Sequence, residues 1–329
     1  MSRSREGSPP RHAAGCPVYA GTHDHRSRDI HSSVVMGPRL RGDDVKSVSR
    51  MTNESRRKTF ALALGVGGAR ALGQIAVLEA LDELQLRPAR IAGSSFGALI
   101  GAAYAAGMTG KAIRRHVIKL AHDRGGILSR LMAARAAPLS QWITAPLANP
   151  ILMDAAKFCG SFLPAAVPDD FAALAIPLQV IATDLNGRCE IVLDAGALKP
   201  AIAASMAIPG LIRPVEIDGR VLVDGAAVNP LPFDCLRGLA DVVLAVDCSG
   251  GPDEIGGIPD PWAAMFTTLG IMGQTIVAEK LKAGGPDLVI RPNVGIFRLL
   301  DFFQASAILR AAEPAKAEIK EKLAALLAR

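Results

Sequence analysis

Two glycine-rich turns, each placed between an apolar strand and a helix, constrain the fold of this chain more than any other feature. The first apolar stretch, Thr59–Leu64, runs into a loop at 65–70 with the sequence Gly-Val-Gly-Gly-Ala-Arg. Apolar residues then recur three and four positions apart over 72–84, which predicts a helix. The order of these elements is therefore strand, glycine loop, helix.

The same order is repeated at once. A very short strand at Arg90–Ala92 leads into the turn 93–97, Gly-Ser-Ser-Phe-Gly. Phe96–Ala106 predicts a buried helix that is closed by Gly107. Alternation of strands and helices in this manner predicts an α/β fold with a parallel sheet covered by helices.

Beyond residue 107 the pattern becomes less regular. Residues 110–175 are mainly helical, with breaks at prolines such as Pro138, Pro146 and Pro150, and such an insertion between core strands commonly forms a cap or a binding wall. The final third is predicted to be helical over Trp262–Lys282 and from Phe297 onward, with an interruption at Pro314. Further strands are expected at Leu178–Ala182, Ile191–Leu193, Val215–Ile217, Val221–Val223 and Val242–Val246, with a hairpin turn at Asp218-Gly219.

The first 57 residues differ from the remainder in composition. They are rich in Ser, Arg, Pro, Gly and His without apolar periodicity, so we predict a disordered basic extension. The change is abrupt, and an alternative start at Met51 is one hypothesis, with an Arg-rich targeting arm as the other. The folded domain is then 58–329, with the chemically interesting motifs in about 59–250 and C-terminal helices in about 258–329.

Charge and hydropathy exclude several classes of protein. The formal charge of +6 is carried by residues 1–58, and the rest of the chain is neutral, so no basic nucleic-acid face is predicted. We find no signal peptide, and the uncharged stretch Ile91–Met108 has too little hydrophobicity per residue for a transmembrane segment. We therefore expect a cytoplasmic protein, with peripheral membrane contact as a possibility.

The turn at 93–97 matches the pattern G-x-S-x-G, with Ser95 as the exposed nucleophile on a strained strand-to-helix turn. Gly93 and Gly97 are needed because a Cβ at either position would collide with neighbouring elements. The competing interpretation is an ordinary helix N-terminus with Ser94 as its cap.

A nucleophilic serine needs a base, and histidine does not fit that role here. Only His116 and His122 lie outside the extension, neither is in the order used by histidine-dependent serine hydrolases, and we expect both on the surface. A carboxylate is the alternative, and Asp224 follows the strand Val221–Val223 directly, before Gly225 and Ala226. Burial could raise the basicity of this carboxylate. An aspartate that merely stabilises its own turn remains the second interpretation.

Acyl transfer also requires donors for an oxyanion. The loop Gly65, Val66, Gly67, Gly68, Ala69, Arg70 lies between a strand and a helix, where backbone N–H groups favour negative charge. Phosphate binding is the competing interpretation, but the loop matches neither the dinucleotide fingerprint G-x-G-x-x-G nor a P-loop.

Taken together, the three elements resemble the patatin-like phospholipase family. The family pattern is G-G-x-R, then G-x-S-x-G, then D-G-A/G, and here these are Gly67 to Arg70, Gly93 to Gly97, and Asp224-Gly225-Ala226. The segments 203–210 and Asn229-Pro230-Leu231-Pro232 are also similar to the family, and the resemblance covers roughly 59–250. Val66 and Ala71 depart from the glycines of many members.

The resemblance implies a three-layer α/β/α fold with a mainly parallel central sheet, and a Ser95–Asp224 dyad without histidine. It further implies hydrolysis of phospholipids or other fatty-acyl esters through an acyl-enzyme, with Gly67 and Gly68 as oxyanion donors, no metal and no cofactor. For Arg70 we expect a bracing role in the loop. Apolar segments within 127–174 and 262–303 are candidates for acyl-chain pockets or membrane contact, although core packing is the first expectation for 296–303.

Three alternative functions stay open at this point. A non-catalytic lipid-binding or regulatory protein could keep the same fold. An acyl-carrier transacylase also uses G-x-S-x-G but needs a histidine partner, and a nucleotide-binding protein would explain only the first glycine loop. The sequence carries no signal for an oligomeric state.

Overall fold

A mostly parallel sheet of eight strands forms the centre of the described chain. The computed structural model of the protein describes residues 58–135, 153–251 and 258–328. The predicted extension 1–57 with its alternative start at Met51, and the prolines 138, 146 and 150, lie outside the described residues. The strands are β1 Phe60–Leu64, β2 Arg90–Ser94, β3 Leu178–Asp184, β4 Cys189–Leu193, β5 Val215–Ile217, β6 Arg220–Asp224, β7 Val242–Val246 and β8 Leu288–Ile290.

The strand order across the sheet is β5-β6-β3-β2-β1-β7-β8, and β4 pairs with β3 outside this path. The pairings β1–β2, β1–β7, β2–β3 and β7–β8 are parallel, whereas β4, β5 and β6 pair antiparallel. The α-helices in the described residues are α1 Gln74–Glu83, α2 Phe96–Ala105, α3 Gly110–His122, α4 Arg124–Ala133, α5 Ala155–Phe162, α6 Leu198–Ser205, α7 Pro261–Lys282, α8 Ala305–Ala311 and α9 Pro314–Ala328.

Strand β1 shows why the sheet has helices on both faces. All five of its residues are buried, and successive side chains point to opposite faces. Phe60, Leu62 and Leu64 belong to the large core that includes residues of α1, α2, α8 and α9. Ala61 and Ala63 belong to a second core with Val277 of α7. The structure thus confirms the predicted three-layer α/β/α arrangement with a mainly parallel sheet.

Most of the predicted elements are confirmed, and some are extended or corrected. The hairpin between β5 and β6 is present, with Asp218 at φ 50° and Gly219 at φ 72°, as a two-residue turn with two positive φ angles requires. Strand β8 was not predicted, because a three-residue edge strand carries almost no periodicity. The helix expected from Phe297 was wrong in its start, since α8 begins at Ala305 after a short 3₁₀ turn at Phe302–Gln304.

The uncharged stretch Ile91–Met108 does not form one continuous helix. It is divided between β2, the turn at Ser95 and helix α2. Among the described residues, no helix is both long enough and apolar enough to cross a membrane.

Strand β3 brings the two motif strands together. Its pairing with β2 ends at Ser94 opposite Ile181, and its pairing with β6 begins at Asp224 opposite Ala182, the next residue of β3. Because β6 runs antiparallel to β3, the carboxyl ends of β2 and β6 meet. Asp224 therefore reaches the serine turn from a strand that runs antiparallel to β3.

The glycines of the serine turn are required by contacts with backbone. A Cβ on Gly97 would lie 2.6 Å from the carbonyl oxygen of Gly65, and closer still to that of Leu64. A Cβ on Gly93 would lie 2.6 Å from Cα of Ala98. The predicted collisions are confirmed, and they hold the start of α2 tightly against the first glycine loop.

We predict that Gly97→Ala lowers the free energy of unfolding by about 3 kcal/mol or prevents folding, because backbone atoms cannot yield cheaply to the added methyl group. Gly270→Ala in α7 is the matched control, since a Cβ there meets no atom within 4 Å. It should raise the free energy of unfolding by about 0.5–1 kcal/mol, the ordinary helix-propensity gain. Urea denaturation followed by circular dichroism measures both, and equal stabilities would contradict this account.

Candidate active site

Ser95 occupies a strained turn between β2 and α2. Its backbone lies at φ 55° and ψ −128°, a region that residues other than glycine rarely adopt. The turn is held by the Ser95 N–H, which donates to Oγ of Ser205 at 2.8 Å, and by the Ser95 carbonyl, which accepts from Ala98 at 2.9 Å. Such strain, typically of about 1–3 kcal/mol, is most often found at functional sites.

The Ser95 hydroxyl donates a hydrogen bond to the Asp224 carboxylate. The distance from Oγ to Oδ2 is 2.7 Å, and the two residues expose only 4% and 3% of their surface. The prediction that the turn exposes the serine was therefore wrong, because packing around the turn buries it. Oδ1, the other carboxylate oxygen, accepts from the Ala226 N–H at 2.8 Å. The structure thus brings together two residues that are 129 positions apart in the sequence, in the contact that proton transfer requires.

Asp224 is fixed through its backbone as well. Its N–H donates to the carbonyl of Ala207 at 3.0 Å, and its carbonyl accepts from Thr183 Oγ1 at 2.8 Å. Gly225 follows without a side chain because a Cβ there would lie 2.5 Å from both the Ile181 carbonyl oxygen and Ser94 Oγ. The aspartate loop therefore has one defined position against β2 and β3.

Burial changes the acidity of Asp224. Desolvation raises the pKa of its carboxyl to about 6, although the hydrogen bonds from Ala226 and Ser95 act in the opposite direction. A carboxylate with this pKa is still mostly ionised at pH 7, and it is a stronger base than an exposed aspartate. The direction of this pKa shift is the one expected for a buried carboxylate.

The glycine loop presents two unused backbone donors. The N–H groups of Gly65, Val66, Ala69 and Arg70 donate to other backbone carbonyls. By contrast, no hydrogen bond between described residues uses the N–H of Gly67 or Gly68, although both residues are buried. Buried backbone donors are almost always paired with an acceptor. The N–H groups of Gly67 and Gly68, free among the described residues, are therefore available to bind an anionic ligand.

Several contacts outside the motif hold this loop. Gly68 lies at φ 55°, and a Cβ on it would collide with Leu299. Gln74, at the start of α1, donates from Nε2 to the Gly65 carbonyl at 2.6 Å. The Val66 N–H donates to the Pro230 carbonyl at 2.8 Å, which links the glycine loop to the segment after Asp224. The loop is therefore preorganised rather than free to collapse.

Arg70 braces the loop, as expected. Its guanidinium is buried and donates to the carbonyl oxygens of Cys248, Ser249 and Phe297 at 3.2–3.3 Å. Desolvation lowers the pKa of Arg70 from its usual value, and the Coulomb interaction with Asp247 partly offsets this effect. All three acceptors lie in the segments that follow β7 and β8, so Arg70 ties these segments to the glycine loop.

The two histidines of the domain, His116 and His122, do not contact Ser95 or Asp224 and bind other backbone carbonyls. His122 is exposed, as expected, and its Nδ1 lies 2.8 Å from the Ile118 carbonyl. The expectation for His116 was wrong: this residue is half-buried, and its Nε2 lies 2.9 Å from the Phe162 carbonyl at the end of α5. A histidine on the amphipathic helix α3 can turn toward the core when a helix end offers an acceptor.

An apolar cavity of about 230 Å³ adjoins the serine turn. Phe96, the residue after Ser95, forms part of its wall together with His116. Aromatic rings pack around it: Phe96 meets Phe162 edge to face and Phe302 at a tilt, with ring centroids 5.7 and 4.8 Å apart. The other lining residues are Leu72, Leu99, Ile100, Ala103, Ile113, Val117, Leu120, Ala121, Ile127, Leu131, Met153, Phe158, Pro164, Leu211, Leu300 and Phe303.

One group of potential metal ligands occurs among the described residues. Atoms of Glu190, Asp234 and Cys235 lie within 4.8 Å of one another. However, the Lys280 ammonium donates to Asp234 at 2.5 Å, and the Cys235 thiol donates to Glu190 at 3.2 Å. Asn229, which donates to Glu190 at 2.7 Å, completes the cluster. Lysine thus already supplies the positive charge, and the cluster supports the segment after Asp224.

The sequence analysis assigned no role to the residues that support the Ser95–Asp224 contact, although one of them, Ser205, lies in the family-like segment 203–210. Ser205 accepts from the Ser95 N–H and donates to the Ile181 carbonyl at 2.5 Å. Thr183 and Gln74 were also not singled out. Their roles depend on contacts between distant segments, and a single sequence contains no signal for such contacts.

Comparison with known proteins identifies the family of the chain. A sequence model described as patatin-like phospholipase matches residues 62–236, which is more than half of the chain. The chain belongs to the patatin-like phospholipase family. The matched residues include the glycine loop, the serine turn and the Asp224 loop of this patatin-like protein.

Individual relatives share about a third of their residues or fewer with this patatin-like protein over the aligned segments. An NTE family protein of Mycobacterium tuberculosis is 35% identical over 191 residues, which is 58% of this chain and 49% of the relative. The rat protein named patatin-like phospholipase domain-containing protein 7 is 28% identical over 234 residues, 69% of this chain and 16% of the relative. The chain thus spans at most about half the length of these curated relatives.

Among solved structures, VipD from Legionella pneumophila aligns with a TM-score of 0.44 and 14% identity. The alignment covers 81% of this chain and 67% of VipD.

We predict that Asp224→Asn stabilises the protein at pH 8. The folded-state pKa of about 6 lies above the ordinary value of 3.8, so the folded protein binds the proton more tightly. Stability therefore falls as the pH rises from about 4 to 6, and the buried carboxylate remains costly above that range. Replacing it with a neutral amide should raise the free energy of unfolding at pH 8 by about 1–3 kcal/mol, and the gain should shrink below pH 6.

Asp184→Asn provides a control of opposite sign. Backbone hydrogen bonds from Gly187 and Asn186, together with Arg220, lower the pKa of this buried carboxyl. Its replacement should therefore destabilise the protein at pH 8. Thermal unfolding at pH 5 and pH 8 measures both variants, and a loss of stability in Asp224→Asn at pH 8 would contradict the assignment.

Proposed function

We propose that this protein is a serine lipid acyl hydrolase, a carboxylic ester hydrolase of the phospholipase A or lysophospholipase type. The observation that carries the proposal is the 2.7 Å hydrogen bond between Ser95 Oγ and Asp224 Oδ2, in a buried turn that adjoins an apolar cavity. The proposed substrates are phospholipids or other fatty-acyl esters.

In the first step, Asp224 accepts the hydroxyl proton of Ser95 while the serine oxygen attacks the ester carbonyl carbon. The carbonyl oxygen becomes an oxyanion as the new carbon–oxygen bond forms. The bond to the alcohol then breaks, and the leaving alkoxide takes the proton from Asp224. An acyl-enzyme on Ser95 and a free alcohol or lysolipid are the products of this step.

In the second step, the same carboxylate accepts a proton from water. The hydroxide attacks the acyl carbon, the bond to Ser95 breaks, and Asp224 returns the proton to the serine oxygen. The fatty acid leaves, and the starting state is restored. The pKa of about 6 suits both roles, because the group must accept a proton and later release it near neutral pH.

The oxyanion is assigned to the N–H groups of Gly67 and Gly68. They are buried and have no acceptor among the described residues, and their loop is held in place by Arg70 and Gln74. The start of α2 touches this loop at the Gly97–Gly65 contact, so the loop and the nucleophile are neighbours. Fixed donors of this kind typically contribute about 10²–10³ in rate each.

The cavity indicates the acyl half of the substrate. Apart from the His116 ring, its wall is made of aliphatic and aromatic side chains and carries no charged group. A wall of this composition favours a hydrocarbon chain over a sugar, peptide or nucleotide. Contact of the protein with a lipid surface follows from such a substrate.

We predict that Ser95→Ala abolishes hydrolysis of p-nitrophenyl butyrate, with the rate reduced by about 10³ or more, because no other group can form the acyl-enzyme. Ser94→Ala is the matched control: it removes the adjacent buried hydroxyl, which has no hydrogen-bond partner in the described part of the chain. That variant should retain most of the activity. If Ser95→Ala hydrolyses the ester as fast as the unmodified protein, Ser95 is not the nucleophile and the proposal is wrong.

We also predict a pH dependence set by Asp224. The base must be ionised, so kcat/KM for the neutral ester should fall below pH 6 and level off above it, with an apparent pKa of about 6. Initial rates at constant ionic strength between about pH 4.5 and 8.5 measure this. A profile that declines as the pH rises through 6 would mean that the protonated carboxyl is the active form, and Asp224 could not then be the general base.

One observation favours the alternative of a non-catalytic lipid-binding protein. Ser95 exposes only 4% of its surface, so an ester can reach it only if covering side chains move. Calorimetry with a soluble fatty acid, beside the ester assay, separates the two functions. Saturable binding without any turnover by the unmodified protein would support the alternative.

A further inference from the structure

Large apolar side chains are exposed around one end of the proposed acyl cavity. Ile127 and Leu131 of helix α4 line the cavity, whereas Leu128 and Met132 of the same helix point outward and are 59% and 50% exposed. Opposite them, Phe303 both lines the cavity and exposes 46% of its surface. Leu300 also does so, with 45% exposed.

A cation connects the two sides of this opening. The Arg124 guanidinium lies 5.4 Å from the centre of the Phe303 ring. Arg124, Leu128 and Met132 are spaced four residues apart, so they form one outward stripe along α4. We call Arg124, Leu128, Met132, Leu300 and Phe303 the mouth face. It combines exposed apolar groups with a positive charge placed on an aromatic ring.

The charge around this face is not balanced. Helices α3 and α4 and the two residues that follow, 110–135, contain seven Lys and Arg and one Asp, a net of +6 with neutral His. The rest of 59–329 contains eighteen basic and twenty-four acidic residues, a net of −6. Of the seven, Arg114 is bound to Glu79 and Glu313 and is partly buried, and Arg130 lies 3.6 Å from Asp123. The side chains of Lys111, Arg115, Lys119, Arg124 and Arg130 are exposed.

We propose that the mouth face docks onto an anionic phospholipid bilayer. The proposal rests on the proposed function, because the face rims the cavity that is assigned to the acyl chain. Leu128, Met132 and Phe303 would enter the boundary between head groups and acyl chains, where apolar side chains are stabilised. Arg124 and the neighbouring basic residues would meet lipid phosphates, because an anionic membrane surface attracts cations that lie close to it.

An anionic bilayer accounts for both the exposed apolar side chains and the positive charge of the mouth face. A protein partner would need to match an apolar rim and a basic border at once, whereas an anionic membrane offers both over any area. The position of the rim adds a further reason, since a lipid held by the mouth face has its acyl chain beside the cavity opening.

The test measures partition of the full chain to vesicles by co-sedimentation, with Ser95→Ala in every sample so that the lipid stays intact. Vesicles are pure phosphatidylcholine or a 3:1 mixture of phosphatidylcholine and phosphatidylglycerol. Leu128→Asp should weaken partition to the mixed vesicles about tenfold, and Arg124→Glu should weaken it at least about fivefold. Binding to the neutral vesicles should be weaker throughout.

Two matched controls lie at the amino-terminal ends of the parallel strands, away from the serine turn at their carboxyl ends. Leu239→Asp replaces an equally large leucine that is 45% exposed before β7, and Lys58→Glu reverses an exposed charge before β1. Both should partition like the parent protein, because neither residue belongs to the mouth face. The basic extension is the same in all samples and adds no difference between them. Equal losses in the control and the mouth-face variants would overturn the proposal.

Two more readouts separate other outcomes. If light scattering shows a dimer that Leu128→Asp dissociates while vesicle partition is unchanged, the face joins two copies of the chain and the proposal is wrong. In a chain that keeps Ser95, Leu128→Asp should hydrolyse soluble p-nitrophenyl butyrate within about twofold of the unmodified rate. If the unmodified chain does not hydrolyse this ester, the proposed function fails, while the partition of the variants still decides the docking proposal.

Discussion

The buried hydrogen bond between Ser95 and Asp224 is the interaction on which the remaining features of this site depend. A carboxylate that is 3% exposed is unfavourable, and its environment raises its pKa to about 6. The fold accepts this cost together with the strained backbone of Ser95. In return, the proposed base Asp224 and the proposed nucleophile Ser95 are held 2.7 Å apart without any histidine. On the proposed function, part of the stability of the fold is given up for a carboxylate that can act as a base near neutral pH.

The sheet supplies the precision that this pair needs. Strand β3 pairs with β2 up to Ile181 and with β6 from Ala182 onward. The serine turn after β2 therefore faces the end of β6. Hydrogen bonds from Val66 to Pro230 and from Gln74 to Gly65 then fix the glycine loop against the same region. Three segments that are far apart in sequence therefore share one rigid support, as preorganised catalysis requires.

Much of this arrangement could be predicted from the sequence because its signals are local. Glycines forced by backbone contacts, such as Gly93 and Gly97, and a helix that follows at once leave few alternatives for the serine turn. The antiparallel direction of β6, the half-buried ring of His116 and the support from Ser205 could not be predicted. Each is decided by packing between distant segments, and the sequence encodes such packing only in the sum of many weak contacts.

The central claim is that Ser95 is an activated nucleophile, and covalent labelling tests it most directly. The full chain is treated with an alkyl fluorophosphonate at about pH 7.5, digested, and analysed by mass spectrometry, beside Asp224→Asn. We expect a single phosphonyl adduct on the peptide that contains Ser95, and labelling at least about 10²-fold slower in Asp224→Asn, where the general base is lost. An adduct on another residue, or equal labelling rates in the two proteins, would contradict the account.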